Sequence, residues 1–268
     1  MTPSPKTRIG VAGYGYIGRE LCRLIRETPA WNLELAFVWN RDPRKLDDLP
    51  EDLPLADLDQ LAMRRPDLVI ECAHPAVTVE HGAAILNAAD YLPLSVNAFA
   101  DPATEARLVA LAKAQGRRII IPHGALIGLD NLVEMRDMWQ DVTITFRKNP
   151  ANIDFADTDI DPTTITGETV IYDGSVRGIA GRFPRNVNTM TTCALATVGL
   201  DRCRAVLIAD PALNVAIAEV RAVGHDGSVH ESCKVQPVVG VSGTEMLAAQ
   251  VGSMLRAAHV VQPGLGFA

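Results

Sequence analysis

The chain has 268 residues, 48% of them hydrophobic and 21% charged, with a formal net charge of -7. That length holds one large domain or two modest ones, and the acidic balance offers no basic field for phosphate backbones, which excludes nucleic acid as a partner. No apolar run reaches membrane-spanning length, Met1 to Lys6 does not read as a signal peptide, and five scattered cysteines without a C-x-x-C pair point to reduced thiols in the cytoplasm and no metal.

In chain order, the first half alternates strands and helices. Arg8–Ala12 reads as a short buried strand, and Ile17–Glu27 as a helix with Ile17, Leu21, Leu24 and Ile25 on one face. Strand Leu33–Trp39 follows, then helix Leu55–Met63 and strand Leu68–Cys72 between Pro66 and Pro75. Helix Val77–Ala89, strand Leu92–Val96, helix Pro102–Gln115 and strand Arg118–Ile121 complete the series. This rhythm predicts an α/β fold, a doubly wound parallel sheet of the Rossmann type with right-handed crossovers.

After Pro122 the rhythm changes. Val142–Phe146 and Glu168–Asp173 read as strands and Val187–Leu195 as a helix. Ala205–Ala209, Val215–Val223 and Val229–Val235 read as further strands, the last two joined through His225-Asp226-Gly227, a hairpin turn. This block predicts a second, α+β domain built on an antiparallel sheet. A final helix from about Thr244 to Ala258 opens on Ser242-Gly243-Thr244-Glu245, a capping box. The expected domains are 1–122 plus 243–268 for a dinucleotide and 123–242 for the substrate, with the cofactor cleft between the two.

Gly13-Tyr14-Gly15-Tyr16-Ile17-Gly18 lies directly after the first strand and before the first helix. There Gly13 permits the tight turn, Gly15 lets backbone approach a pyrophosphate, and Gly18 allows close helix–strand packing. Tyr16 and Ile17 open the helix whose positive end meets the phosphates. The second strand ends Trp39-Asn40-Arg41-Asp42. No carboxylate stands at the terminal position, where NAD enzymes keep one for the ribose, and Arg41 follows at once. The pattern favours NADP, or both cofactors, although Asp42 can still reach a ribose and a solvated loop would look the same.

Two more stretches carry a family pattern: Ile121-Pro122-His123-Gly124-Ala125-Leu126-Ile127-Gly128-Leu129-Asp130, and Phe183-Pro184-Arg185-Asn186-Val187-Asn188 preceded by Asp173-Gly174-Ser175. With the glycine loop they make the chain resemble the L-aspartate dehydrogenase family, whose versions read P-S-G-A-I-G-G-L-D and F-P-K-N-V-N. The resemblance runs from Ile9 to the C-terminal helix. It implies a two-domain homodimer that interconverts L-aspartate and oxaloacetate through an imine, with NAD or NADP as hydride partner, and that can feed pyridine nucleotide biosynthesis. It places cofactor contacts at Ala125 and Asn188. A small residue after Gly124 lets backbone approach the nicotinamide, and an Asn amide both donates and accepts. The alternatives are a tight turn at Gly124-Ala125 and a helix N-cap at Asn186 or Asn188.

The chain departs from the family at two points. Asp210-Pro211 is followed by Asn214-Val215-Ala216-Ile217 where the family reads N-V-H-E, so Ala216 stands at the catalytic histidine's position. His123 replaces the family's serine. Either His123 supplies the acid/base imidazole, or the substrate has changed. Ala73-His74-Pro75, at the end of the third strand, is expected near the nicotinamide edge and makes His74 a second candidate, unless either imidazole only serves a loop. His81, His225, His230 and His259 carry no expectation of function. Arg147, Lys148 and Arg185 are candidates for the substrate carboxylates, each with a solvated or phosphate-facing charge as the alternative. The expected function is an NAD(P)-dependent dehydrogenase acting on a small amino or oxo acid. The alternatives are a dinucleotide-binding sensor or scaffold without turnover and a reductase of another imine or an aldehyde.

Overall fold

A computed structural model describes residues 5–156, 158–183, 187–238 and 246–260, which form two compact units. One takes in the chain to Ala98, Pro102–Pro122 and the C-terminal helix; the other takes in Phe99–Asp101 and the chain from His123.

In the first unit β1 (Thr7–Ala12), β2 (Leu33–Trp39), β3 (Leu68–Glu71) and β4 (Asp90–Pro93) form a parallel sheet in the order β2-β1-β3-β4. Helix α1 (Tyr16–Glu27) lays Leu21, Cys22 and Ile25 into a core with Ile9, Val11, Val38 and Ile70. Helices α2 (Pro75–Ala88) and α3 (Pro102–Gln115) pack together at Gly82, where a Cβ would come 2.8 Å from Leu108 Cδ1. The C-terminal helix Leu247–Ala257 buries Met254 and Ala257 in the core around β1, and Arg118 Nη2 donates to the Ala257 carbonyl at 3.2 Å.

The stretch 118–121 is a bridge rather than a strand. Tyr91 N–H donates to the Arg118 carbonyl at 2.9 Å and Ile120 N–H donates to the Tyr91 carbonyl at 2.8 Å. The next donor on that edge of β4 is residue 93, a proline without an N–H, so the ladder stops. Nor does β4 run to Val96, because Ser95 turns its N–H and hydroxyl to Glu71. The expected helix at Leu55–Met63 is a 3-10 stretch, Leu58–Arg64, opened by the Asp57 carboxylate accepting the Asp59 N–H at 3.0 Å. Arg65 at φ 48 and Pro66 close it before an α-helix of stable length can form.

In the second unit β5 (Trp139–Lys148), β6 (Thr169–Ser175), β7 (Arg204–Ala209), β8 (Val215–Gly224) and β9 (Val229–Pro237) form one sheet, β6-β7-β5-β8-β9. It is mixed rather than antiparallel: β5 and β7 pair in parallel from Thr143–Arg204 to Lys148–Ala209. The segment between them, with β6, α5 (Val176–Arg182) and α6 (Asn188–Ala196), supplies the long crossover that parallel strands need. Val142, Ile144 and Phe146 on one face of β5 pack with Ile179, Met190 and Cys193. Helix α4 (Leu129–Glu134) is tied to β5 by Trp139 Nε1 donating to the Leu132 carbonyl at 2.9 Å. Arg177 holds the 99–101 segment by donating to the Ala100 carbonyl at 2.9 Å. Between β8 and β9, Gly227 takes φ +83 and Gly224 N–H donates to the Ser228 carbonyl at 2.8 Å.

The C-terminal helix starts at Leu247, with Met246 at the N-cap and no side-chain cap. Ser242 to Glu245, the expected capping box, lie outside the described residues, as do Arg185 and Asn186.

Candidate functional site

The glycine loop is shaped by backbone approach. Gly13 takes φ +117, and a Cβ there would stand 2.7 Å from the Cys72 carbonyl carbon. A Cβ on Gly18 would lie 2.0 Å from the Gly13 carbonyl oxygen, which is why only glycine lets α1 start so close to β1. Cys72 donates its thiol to that same carbonyl, Sγ to O 3.1 Å. Gly15 has opposite surroundings: nothing lies within 4 Å of its ideal Cβ.

Gly15 is the N-cap of α1 and no side chain caps the helix. The first N–H groups of a helix have no intrahelical partner, so the amides from Tyr16 and Ile17 onward form an anion-binding end. An open space over Gly15, an uncapped helix start and a tight Gly13–Gly18 contact together fit the pyrophosphate of a dinucleotide.

The end of β2 is linked to this loop. Asn40 Oδ1 accepts the Tyr14 N–H at 3.1 Å, and its Nδ2 donates to the Asp42 carbonyl at 2.9 Å. Its side chain therefore braces the loop. Arg41 is exposed. Asp42 is held by Arg44 through two contacts, 2.9 and 3.0 Å, and that guanidinium keeps its carboxyl below the usual range.

At the end of β3, Ala73 N–H donates to Glu71 Oε1 at 2.7 Å. His74 is the N-cap of α2, its Nδ1 accepting the Ala76 N–H at 3.2 Å, which leaves the proton of a neutral ring on Nε2. Sequence reasoning passed over Glu71. The available signal was a lone acid, Leu68-Val69-Ile70-Glu71-Cys72, at the end of a buried strand.

In the second unit, Gly124 at φ +56 and the Leu126 N–H donating to the His123 carbonyl at 3.0 Å form the turn that carries Ala125. Gly128 at φ +74 then opens α4. The turn brings His123 Nε2 to 3.3 Å from Asp130 Oδ1, an imidazole–carboxylate pair within one short segment. His230 Nε2 underlies Gly128, 3.0 Å from where a Cβ would stand.

Asn188 is the first residue of α6 and is exposed. Val187, not Asn188, occupies the N-cap position, and no side chain caps that helix. Ala216 lies half-buried on β8 opposite Gln236. Arg147 is engaged on two sides, with Glu168 at 2.9 Å and Glu219 at 3.1 Å, so its guanidinium is already neutralised by protein carboxylates. Lys148 Nζ stands 5.0 Å over the Phe146 ring. Among the described residues no cluster of His, Cys, Asp and Glu has the makings of a metal site, and no helix is long and apolar enough to cross a membrane.

Comparison with known proteins places this geometry. Residues 13–122 match the family described as homoserine dehydrogenase, NAD binding domain, and residues 130–257 match aspartate dehydrogenase, C-terminal. An aspartate dehydrogenase domain-containing protein of Xenopus tropicalis is 37% identical over 221 residues, covering 80% of this chain and 78% of that one. L-aspartate dehydrogenase of Methanococcoides burtonii is 31% identical over 270 residues, covering 96% and 99%. The crystal structure of aspartate dehydrogenase from Thermotoga maritima superposes with a TM-score of 0.75 at 27% identity, covering 98% of this chain and 99% of that one. The nucleotide-binding loop, the second α+β unit and these full-length similarities converge: the chain belongs to the L-aspartate dehydrogenase family of NAD(P)-dependent oxidoreductases.

Proposed function

We propose that the protein oxidises L-aspartate, or a close amino acid, to an imine that water opens to the oxo acid and ammonia, and that it catalyses the reverse. The observation that carries this reading is the His123–Asp130 pair at 3.3 Å, in the segment that resembles the family's P-S-G-A-I-G-G-L-D stretch. The backbone at Gly13, Gly15, Tyr16, Ile17 and Gly18 holds the diphosphate, and Arg41 faces the 2′-phosphate of NADP. An oxidised nicotinamide held there would supply the acceptor for the hydride of the substrate's α-carbon. His123 takes the proton from the substrate ammonium and returns one in the reverse direction, and Asp130 orients the ring. Ala125 and Asn188 are assigned to the cofactor on the family pattern, and Ala73 and His74 to it from their place at the end of β3, near the expected nicotinamide edge.

The proposed assembly is a cytoplasmic homodimer, as the family resemblance implies. The outer side of β9 supports it, with Val229 and Val235 half or more exposed beside Cys233. A turnover screen tests the function: NADH and NADPH against oxaloacetate plus ammonia, with a panel of other oxo acids, cyclic imines and aldehydes. Consumption with oxaloacetate and ammonia supports the reading, and turnover confined to another member reassigns the substrate. Ala216 favours one second reading, a dinucleotide sensor that has lost catalysis. Tight cofactor binding with no turnover on any member would select it.

A further inference from the structure

Glu71 ends β3 with no exposed surface, and among the described residues no lysine or arginine pairs with it. Its partners are donors. Oε1 accepts from Ala73 N–H at 2.7 Å and from the Ser95 hydroxyl at 2.9 Å, and Oε2 accepts from Ser95 N–H at 3.0 Å. The His74 backbone N–H adds a further hydrogen bond. Burial is the larger influence and holds the carboxyl above its ordinary value, while these hydrogen bonds limit the rise. Three backbone N–H groups and the Ser95 hydroxyl converge on it; a carboxylate accepts from all four at once, whereas an acid proton would have only the Ser95 oxygen to go to, so the set favours the ionised form. Its charge is also felt by the neighbouring Cys72 thiol and Tyr91 hydroxyl, each of which it pushes further up.

The position of this anion follows from the strand order. In β2-β1-β3-β4 the glycine loop follows β1 and the ribose-facing residues end β2. A dinucleotide crosses the carboxyl ends of such a sheet at the switch point, so its second half lies on the β3–β4 side. Glu71 joins the turn after β3, Ala73 and His74, to the turn after β4, Ser95. These are the two turns under that half.

We infer that Glu71 is a positioning residue that fixes the floor of the nicotinamide half-site, and that its charge makes the oxidised dinucleotide the better ligand. The inference rests on dinucleotide binding at the glycine loop. The oxidised nicotinamide ring is a cation and the reduced ring is neutral. A buried anion with no counter-ion among the described residues acts across a poorly screening interior, and therefore discriminates between the two.

Equilibrium titrations of NADP⁺, NADPH and 2′-phospho-ADP-ribose test this on the wild type, Glu71→Gln and Ser95→Ala, with no turnover measured. Glu71→Gln should weaken NADP⁺ about fivefold more than NADPH, the scale of one partly screened charge, and leave the nicotinamide-free fragment almost unchanged. Ser95→Ala removes a donor but keeps the charge, so it should weaken NADP⁺ and NADPH alike and preserve their ratio. An unchanged ratio in Glu71→Gln overturns the charge effect, and unchanged affinities in Ser95→Ala overturn the positioning role. Equal loss of the fragment would show general damage to the fold and also overturn the inference. Failure of the wild type to bind even the fragment would remove the glycine-loop assignment itself, and this inference with it.

Discussion

Arg44 grips Asp42 in a two-point ion pair, Nε to Oδ1 at 2.9 Å and Nη2 to Oδ2 at 3.0 Å, and the Arg44 N–H adds a third contact at 3.2 Å. The carboxylate that follows β2 is thereby engaged within its own turn, where an NAD enzyme would keep one for the ribose 2′-hydroxyl. Arg41 stands exposed beside it. NADPH should therefore bind more tightly than NADH. Arg41→Ala should weaken NADPH about tenfold, as loss of a charge-assisted contact does, and change NADH little. Fluorescence titration of both cofactors reads this directly, and equal losses would show that Arg41 does not face the 2′-phosphate.

The two glycines of the loop should fail differently. Gly15 has open space over its Cβ position and extended backbone (φ -82, ψ -159), so Gly15→Val should fold normally yet lose dinucleotide binding, because the branched side chain fills the pyrophosphate's place. Gly18→Ala drives a Cβ to 2.0 Å from a backbone oxygen. It should cost about 3 kcal/mol of stability by overpacking and lower the melting temperature on the order of 10 °C. Thermal melts paired with NADPH titrations separate the two. A destabilised Gly15→Val or a fully stable Gly18→Ala would contradict the loop geometry.

The parallel sheet was readable because its strands are continuous apolar runs set between helical periods, and because Gly13, Gly15 and Gly18 each have one steric reason to be there. The pairing of β5 with β7 was not readable. Strand direction in the second unit depends on a crossover through two helices, which no local pattern encodes. Glu71 was missed for a related reason: its donors come from Ala73 and from Ser95, 24 residues away, and only the fold brings them together. Arg147 shows the same limit. Its charge suggested a carboxylate ligand, but Glu168 and Glu219 arrive from other segments and occupy it.

The cysteines give a test of the proposed dimer. Cys22 and Cys193 are buried, and burial pushes the Cys22 thiol up to about 12. Cys72 is raised well above its ordinary value by the same cause and is bound to Gly13. Cys203 is buried, and Cys233 alone is exposed, on the outer side of β9. Thiolates are the reactive species, so an alkylating reagent should label Cys233 first and the others only on unfolding. If a second copy covers that side, labelling of Cys233 should slow as protein concentration rises, and Val235→Asp should abolish the slowing. Concentration-independent labelling, read by mass spectrometry, would place the dimer contact elsewhere or leave the chain a monomer.

The acid/base assignment gives the last prediction. The family's histidine position holds Ala216, which cannot move a proton, while His123 lies 3.3 Å from Asp130. If His123 carries the proton, His123→Ala should lower kcat about a hundredfold or more, the scale of a lost general acid/base. Cofactor affinity should barely change, because the diphosphate and 2′-phosphate contacts assigned to the glycine loop and Arg41 are untouched. Asp130→Asn keeps the imidazole but removes the charge that orients it and stabilises its cationic form. Its kcat should fall by a smaller factor, about tenfold, and the double variant should be no worse than His123→Ala, because two groups acting as one unit do not add. Ala216→His then asks whether the older arrangement still works. The position is half-buried and pairs in register with Gln236. Aspartate turnover retained or raised in Ala216→His/His123→Ala would show that the catalytic imidazole has moved from β8 to the turn before α4 within a single fold. Full activity in His123→Ala alone would make that imidazole structural, and turnover appearing only when Ala216 is replaced would mark the wild type as a binding protein.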